Sequence, residues 1–103
     1  QDGGADAVSL INTINSIIGV DLNVMAPAPN IDGKGGHGGY CGPAVKPIAL
    51  NMVAEIARDQ QTANLPISAI GGIGTWRDAA EFIAMGAGNV QVCTAVMTCG
   101  FKI

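Results

Sequence analysis

The sequence predicts an α/β fold, the C-terminal part of a (β/α)8 TIM barrel contributing about its strands 6–8. Three observations carry this. Short aliphatic runs alternate with amphipathic helical stretches, the rhythm of βαβ units laid on a parallel sheet. Hydrophobic residues make up 49% of the chain and charged residues 13%, with a mean hydropathy of +0.37, which suits strands buried on both faces. Finally, 103 residues fall well short of the ~250 that an eight-stranded barrel typically needs. One partial domain, 1–103, belonging to a longer chain is therefore expected.

The first strand is expected at 7–11, where Ala7-Val8-Ser9-Leu10-Ile11 runs into Asn12-Thr13. The second is expected at 66–70 (Pro66-Ile67-Ser68-Ala69-Ile70), ending at Gly71-Gly72. The third occupies 89–93 (Asn89-Val90-Gln91-Val92-Cys93) and stops at Thr94. Each is short, aliphatic and closed by small or polar residues. Between the second and third, Thr75 with Asp78 forms a capping-box pattern. Ala79, Phe82 and Ile83 then recur at helical spacing, and Gly86 supplies a stop. A longer helix is expected from about Pro47 to Arg58, with Val45, Ile48, Ala49, Met52, Val53 and Ile56 on one apolar stripe. Pro47 is tolerated there because it falls in the first turn. The crossover from Gly19 to Pro43 is rich in glycine and proline. It reads as a long loop without structure of its own, a kind that is commonly functional or disordered.

Composition also excludes partners. A net charge of −3, no basic patch and 4% aromatic residues argue against nucleic acid. No apolar run reaches the ~18–20 residues of a membrane span, and no signal-peptide pattern opens the chain. Cys41, Cys93 and Cys99 form an odd set without metal-ligand spacing. They read as reduced thiols of a cytoplasmic protein, packed as small buried hydrophobes.

Barrels of this kind place their working residues where strands end. Gly71-Gly72 can bring bare N–H groups against an anion, because no Cβ obstructs the approach. Thr94 opens a short segment, Ala95-Val96-Met97, that fits one helical turn aimed at the same point. Glycine amides after the seventh strand and a small helix after the eighth form the usual phosphate pocket of the fold. Asn12-Thr13 leaves two readings open. The carboxamide matches the alternating donor and acceptor edge of a pyrimidine or other cyclic amide, or it caps its own turn. Gly38-Gly39-Tyr40-Cys41-Gly42-Pro43 is either a flexible loop end or a backbone cradle for part of a cofactor. His37, the single histidine, reads as a solvated loop side chain, with no carboxylate near it in sequence to support catalysis.

Taken in order, four blocks resemble the FMN barrel of the dihydropyrimidine dehydrogenases, and more loosely that of the dihydroorotate dehydrogenases. They are Gly4-Ala5-Asp6-Ala7-Val8-Ser9-Leu10-Ile11-Asn12-Thr13, Gly38 through Leu50, Ile70-Gly71-Gly72-Ile73, and Gln91-Val92-Cys93-Thr94-Ala95. The resemblance spans essentially the whole chain and is nearest to the bacterial NAD-dependent type, in its FMN/iron–sulfur subunit. It implies that Asn12 and Thr13 contact a pyrimidine, uracil or thymine or their 5,6-dihydro forms. It implies that Gly42 lies against FMN and that Ile70, Gly71, Gly72, Cys93 and Thr94 hold its phosphate. The family reaction is reversible hydride transfer between a dihydropyrimidine and the flavin. Electrons are exchanged with NAD through 4Fe-4S clusters and an FAD-carrying, NAD-oxidising flavoprotein subunit in a hetero-oligomer. The chain departs from the family in several ways. The acid/base cysteine of the family belongs to an earlier loop, and none of the three cysteines here takes that place. The flavin-holding lysine and asparagines and the cluster-binding cysteines are missing too, and Cys41 stands where related sequences often carry serine. The chain alone is thus expected to be inactive. The alternatives are a dihydroorotate dehydrogenase, for which Lys46 is the local candidate cation, and a non-catalytic half-barrel remnant.

Overall fold

The computed structural model describes residues 3–17, 19–28, 30–31, 34–35 and 37–100. Its centre is a three-stranded parallel sheet of β1 (Val8–Leu10), β8 (Ile67–Ile70) and β9 (Asn89–Gln91), in the order β1-β8-β9. Val8 pairs with Ile67 and Leu10 with Ala69, while Ser68 pairs with Asn89 and Ile70 with Gln91. The three strands expected from the sequence are all present, one or two residues shorter than the aliphatic runs.

Two helices cover one face of the sheet. Helix α1 (Lys46–Arg58) follows a 3-10 turn at Pro43–Val45, with a proline in its first turn as the sequence suggests. Helix α2 (Trp76–Met85) starts at the full capping box: the Thr75 hydroxyl accepts the Asp78 N–H and the Asp78 carboxylate accepts the Thr75 N–H. Gly86 ends it at φ 123°, where a Cβ would lie 2.5 Å from that of Ala57 on α1. Glycine is therefore required at this stop by contact as well as by conformation.

The core lies between these layers. Ala49 and Val53 of α1, Phe82 of α2, and Ile67 and Ala69 of β8 pack together with Ile73 and Ala87. Phe82 is fully buried and fills the space between helix and sheet, a burial worth roughly 1.5–3 kcal/mol. The α1 stripe is buried only in part. Ala49 and Val53 face the sheet, but Ile48 and Met52 are 49% and 39% exposed. Ile48 and Met52 of the stripe thus stay partly uncovered among the described residues. The Cα radius of gyration, 16.7 Å, exceeds the ~13 Å of a compact 100-residue domain.

The crossover after β1 corrects the expectation of a structureless loop. β2 (Ile14–Ser16) pairs antiparallel with β7 (Gly38–Tyr40), β3 (Gly19–Asp21) with β4 (Ala26–Ala28), and β5 (Asn30–Ile31) with β6 (Lys34–Gly35). Ser16 Oγ adds a 3.1 Å bond to the Gly38 carbonyl. These ladders join strands of two or three residues built largely from glycine, alanine and polar groups. Their backbone pairing therefore leaves little hydrophobic pattern to read. A last short helix, α3 (Thr94–Cys99), follows β9, where one helical turn is expected. The side chain of Cys99 lies outside the described residues.

Candidate functional site

Because β1, β8 and β9 run parallel, their C-terminal ends emerge at one edge of the sheet, where the chain must leave each strand. Asn12-Thr13, Gly71-Gly72 and Cys93-Thr94 are those exits. The 3-10 turn beginning at Pro43 closes a fourth side, and together they surround a concavity of about 580 Å³. That size lies within the usual range for a small-molecule or cofactor site. All eight residues singled out from the sequence, Asn12, Thr13, Gly42, Ile70, Gly71, Gly72, Cys93 and Thr94, line this one cavity.

Each wall has a local cause. Gly71 and Gly72 adopt φ 140° and 75°, conformations that side chains rarely take. A Cβ on Gly71 would lie 2.8 Å from that of Ala49. One on Gly72 would lie 2.8 Å from Lys46 Cβ and 2.9 Å from the Gly42 carbonyl oxygen. The doublet is therefore pressed onto the start of α1, and that packing alone demands glycine. Among the described residues neither N–H of the doublet donates a backbone hydrogen bond, so both stay available to an acceptor in the cavity. Gly42, itself at φ 89°, accepts the Val45 N–H on its carbonyl oxygen at 3.1 Å and so opens the 3-10 turn.

The Asn12 carboxamide oxygen accepts the Thr13 N–H at 2.7 Å and the Thr13 hydroxyl at 3.4 Å. The oxygen thus serves its own turn, and the NH2 end has no acceptor among the described residues. Thr13 lies over β7: a Cβ on Gly39 would meet its Cβ at 3.0 Å. The Thr94 hydroxyl donates to Cys41 Sγ at 3.4 Å, tying the exit of β9 to the entry of α1. Cys41 and Cys93 are both exposed and both line the cavity. This corrects the expectation of buried cysteines, since residues at strand exits face the site and not the helix-packed core. His37 is exposed and lies apart from the cavity lining.

Three further residues matter, and two of them, Gln91 and Asp78, were not singled out for the site by sequence reasoning. Gln91 lines the cavity, and its Nε2 donates to Ser9 Oγ at 2.9 Å and to Ser68 Oγ at 2.8 Å, with Ser68 in turn bonded to the Asn89 carboxamide oxygen. One side chain thereby ties all three parallel strands just below their exits. Its place two residues before Cys93, on the same side of an alternating strand, is the signal that could have found it. Asp78 also lines the cavity. Lys46, the candidate cation of the alternative reading, reaches Asp78 at 2.7 Å and Glu81 at 2.9 Å. Its hydrogen bonds to Asp78 and then Glu81 raise its pKa above the ordinary 10.5. The same Lys46 bond, backed by the Gly74 N–H, lowers the Asp78 carboxyl to about 2. Nothing in sequence marks this pair, because the partners are 32 residues apart.

No helix among the described residues is long and apolar enough to cross a membrane. Comparison with known proteins then gives the cavity a context. The family model described as dihydroorotate dehydrogenase matches residues 1–103. The chain is 46% identical over 101 residues to the NAD-dependent dihydropyrimidine dehydrogenase subunit PreA of Escherichia coli (strain K12), covering 98% of this chain and 25% of that protein. It is 45% identical over 103 residues to the catalytic subunit of dihydroorotate dehydrogenase B (NAD(+)) of Thermococcus kodakarensis, covering 100% of this chain and 32% of that protein. It is 43% identical over 101 residues to the chloroplastic dihydropyrimidine dehydrogenase (NADP(+)) of Arabidopsis thaliana, covering 95% and 24%. The chain thus spans about a quarter to a third of the length of these relatives. With its full length matched by the family model and its strand exits gathered around one cavity, the chain belongs to the dihydroorotate dehydrogenase family.

Proposed function

We propose that the chain supplies strands six to eight of an FMN-binding (β/α)8 barrel whose enzyme interconverts uracil or thymine with their 5,6-dihydro forms. The observation that carries this reading is the gathering of all eight sequence-derived residues around one cavity. The similarity to PreA, a dihydropyrimidine dehydrogenase subunit by name, supports the substrate class. The exposed Ile48 and Met52 of α1, and the open sheet face carrying Ser9, Ser68 and Gln91, are the surfaces that the remaining barrel elements would cover.

The residues present fit FMN. The Gly71 and Gly72 amides, with the backbone amides of Cys93 and Thr94, form a donor set suited to a phosphate. Ile70 and Gly42 offer apolar and side-chain-free surface beside it. When bound, the flavin supplies the hydride chemistry, and the protein's share is to orient one ring against the other. Asn12 donates through its free NH2 end to a pyrimidine carbonyl, while its oxygen, held by Thr13, fixes the plane of the amide. The hydrogen bond from the Thr94 hydroxyl to Cys41 Sγ ties the loop before the 3-10 turn to the exit of β9. The acid/base group belongs to other loops of the barrel, and the chain by itself is not the catalyst. Electrons reach NAD through 4Fe-4S clusters of the parent protein and an FAD-bearing flavoprotein subunit, in a cytoplasmic hetero-oligomer.

The second reading is a dihydroorotate dehydrogenase, supported by the relative from Thermococcus kodakarensis. Its substrate carries a carboxylate that needs a cation. Within this chain Lys46, the local candidate, is already committed to Asp78 and Glu81, so on this reading the cation comes from elsewhere in the longer protein.

The test is to express the full-length protein carrying this chain, load it with FMN, and follow flavin bleaching anaerobically. Dihydrouracil and dihydrothymine are expected to bleach it, and dihydroorotate to leave it oxidised. Bleaching by dihydroorotate alone would move the protein to the second reading. Bound flavin that no substrate bleaches would sink both.

A further inference from the structure

The cavity carries an apparent contradiction for a pocket that holds phosphate. Asp78 is one of its lining residues. Its Oδ2 already takes the N–H groups of Gly74 and Thr75, each at 3.0 Å, amides separated from the Gly71-Gly72 doublet only by Ile73. An ionised carboxylate in this position repels any anion placed beside it. Its other oxygen is met by Lys46 Nζ at 2.7 Å, and the same ammonium meets Glu81 at 2.9 Å. Lys46 also sits directly behind the doublet, since a Cβ on Gly72 would touch Lys46 Cβ at 2.8 Å and its backbone N at 3.0 Å.

Resting on the FMN reading above, we infer that Lys46 is an electrostatic positioning residue for the cofactor phosphate, neutralising Asp78 so that the α2 cap can lie beside a bound dianion. Asp78 is needed where it stands, because its carboxylate closes the capping box that starts α2 and shapes the loop from Gly72 to Thr75. Lys46 lets that carboxylate remain without excluding the anion. It acts through Asp78 and not by direct contact with the phosphate. Removing the lysine leaves Asp78 uncompensated in the cavity wall, with Glu81, the other partner of Lys46, on the same helix. The isoalloxazine end is untouched.

This separation gives a test that a purely structural role would not pass. Full-length protein freed of flavin is titrated with FMN and with riboflavin, which has the same ring system and no phosphate, following the quenching of flavin fluorescence. Lys46→Met is expected to weaken FMN binding about tenfold while changing riboflavin binding less than about twofold. Lys46→Arg keeps the charge and is expected to stay near wild type for both ligands. The double variant Lys46→Met/Asp78→Asn removes the stranded charge and keeps an oxygen for the cap. It is expected to recover most of the lost FMN affinity. Equal losses for FMN and riboflavin would assign Lys46 a packing role and overturn the inference. So would a double variant no better than the single one. Should Lys46→Met fail to fold, Glu81→Gln decides the matter from the opposite side. Loss of that acid is expected to tighten FMN about twofold with riboflavin unchanged, and no change in FMN affinity would overturn the inference. Wild-type protein that binds neither flavin would overturn the cofactor reading itself, a result distinct from all of these, and the inference would fall with it.

Discussion

The two faces of the parallel sheet are built from the same strands and serve opposite ends. On the helix side Ile67 and Ala69 are buried against Ala49, Val53 and Phe82, a contact held by shape and by removal of apolar surface from water. On the other side Ser9, Ser68, Asn89 and Gln91 form a hydrogen-bonded polar ladder across all three strands. The first face fixes the fold. The second fixes how the three strand exits stand relative to one another, and therefore the walls of the cavity. Stability and site geometry are thus carried by different residues one position apart in sequence.

Breaking the helix side has the largest expected effect. Phe82→Ala removes a fully buried ring, the bulkiest member of the core cluster between helices and sheet. A loss of about 3–5 kcal/mol in urea unfolding of the full-length protein is expected. A loss below about 1 kcal/mol would mean that Phe82 does not hold α2 to the sheet.

The polar side responds differently. Gln91→Leu keeps roughly the volume but leaves the Ser9 and Ser68 hydroxyls without their donor. Where further elements of the longer protein cover this face, the cost is about 1–3 kcal/mol. Where water reaches it, the change stays within about 0.5 kcal/mol. The expected outcome is the larger figure, together with weakened flavin binding because the strand exits lose their common tie. An unchanged urea midpoint would show that no further elements close over Ser9 and Ser68.

The same contrast explains what the sequence reveals. Buried strands and amphipathic helices write period-two and 3.6-residue patterns into the chain, so β1, β8, β9, α1 and α2 can be read with small boundary errors. The capping box at Thr75 and Asp78 is a local signal and is legible for that reason. The antiparallel excursion between β1 and α1 is not. Its ladders pair Ser16 with Gly38 and Gly19 with Ala28, residues that bond through backbone and bury little. The strand exits are legible as positions because they end aliphatic runs. Their polarity is not, and Cys41 and Cys93 show it by lying exposed on the cavity. Lys46 and Asp78 meet only through the packing of α1 on α2, which pairing along the sequence cannot display.

The smallest expected effect comes from that pair and is one of pH. The bond from Lys46, then the Gly74 N–H, lowers the Asp78 carboxyl from 3.8 to about 2. A carboxyl lowered on folding contributes stability that is present above its ordinary pKa and is lost as pH falls toward the folded value. The relevant window is therefore roughly pH 4 to 2. At the other end, the Lys46 pKa is raised above 10.5 by Asp78 and Glu81, so its share is intact below that value and fades as pH rises beyond it. Asp78 and Glu81 of α2 and Lys46 of α1 are the charged groups facing one another here. Because the pair is partly open to water, its contribution is small. It is best read as a difference in Tm between wild type and Lys46→Met/Asp78→Asn. That difference is expected to be steady from pH 5 to 9 and to close between pH 4 and 2. A gap that persists unchanged at pH 2 would show that the stability at stake lies in the packing of the Lys46 stem against Gly72 and not in the charge it presents to Asp78.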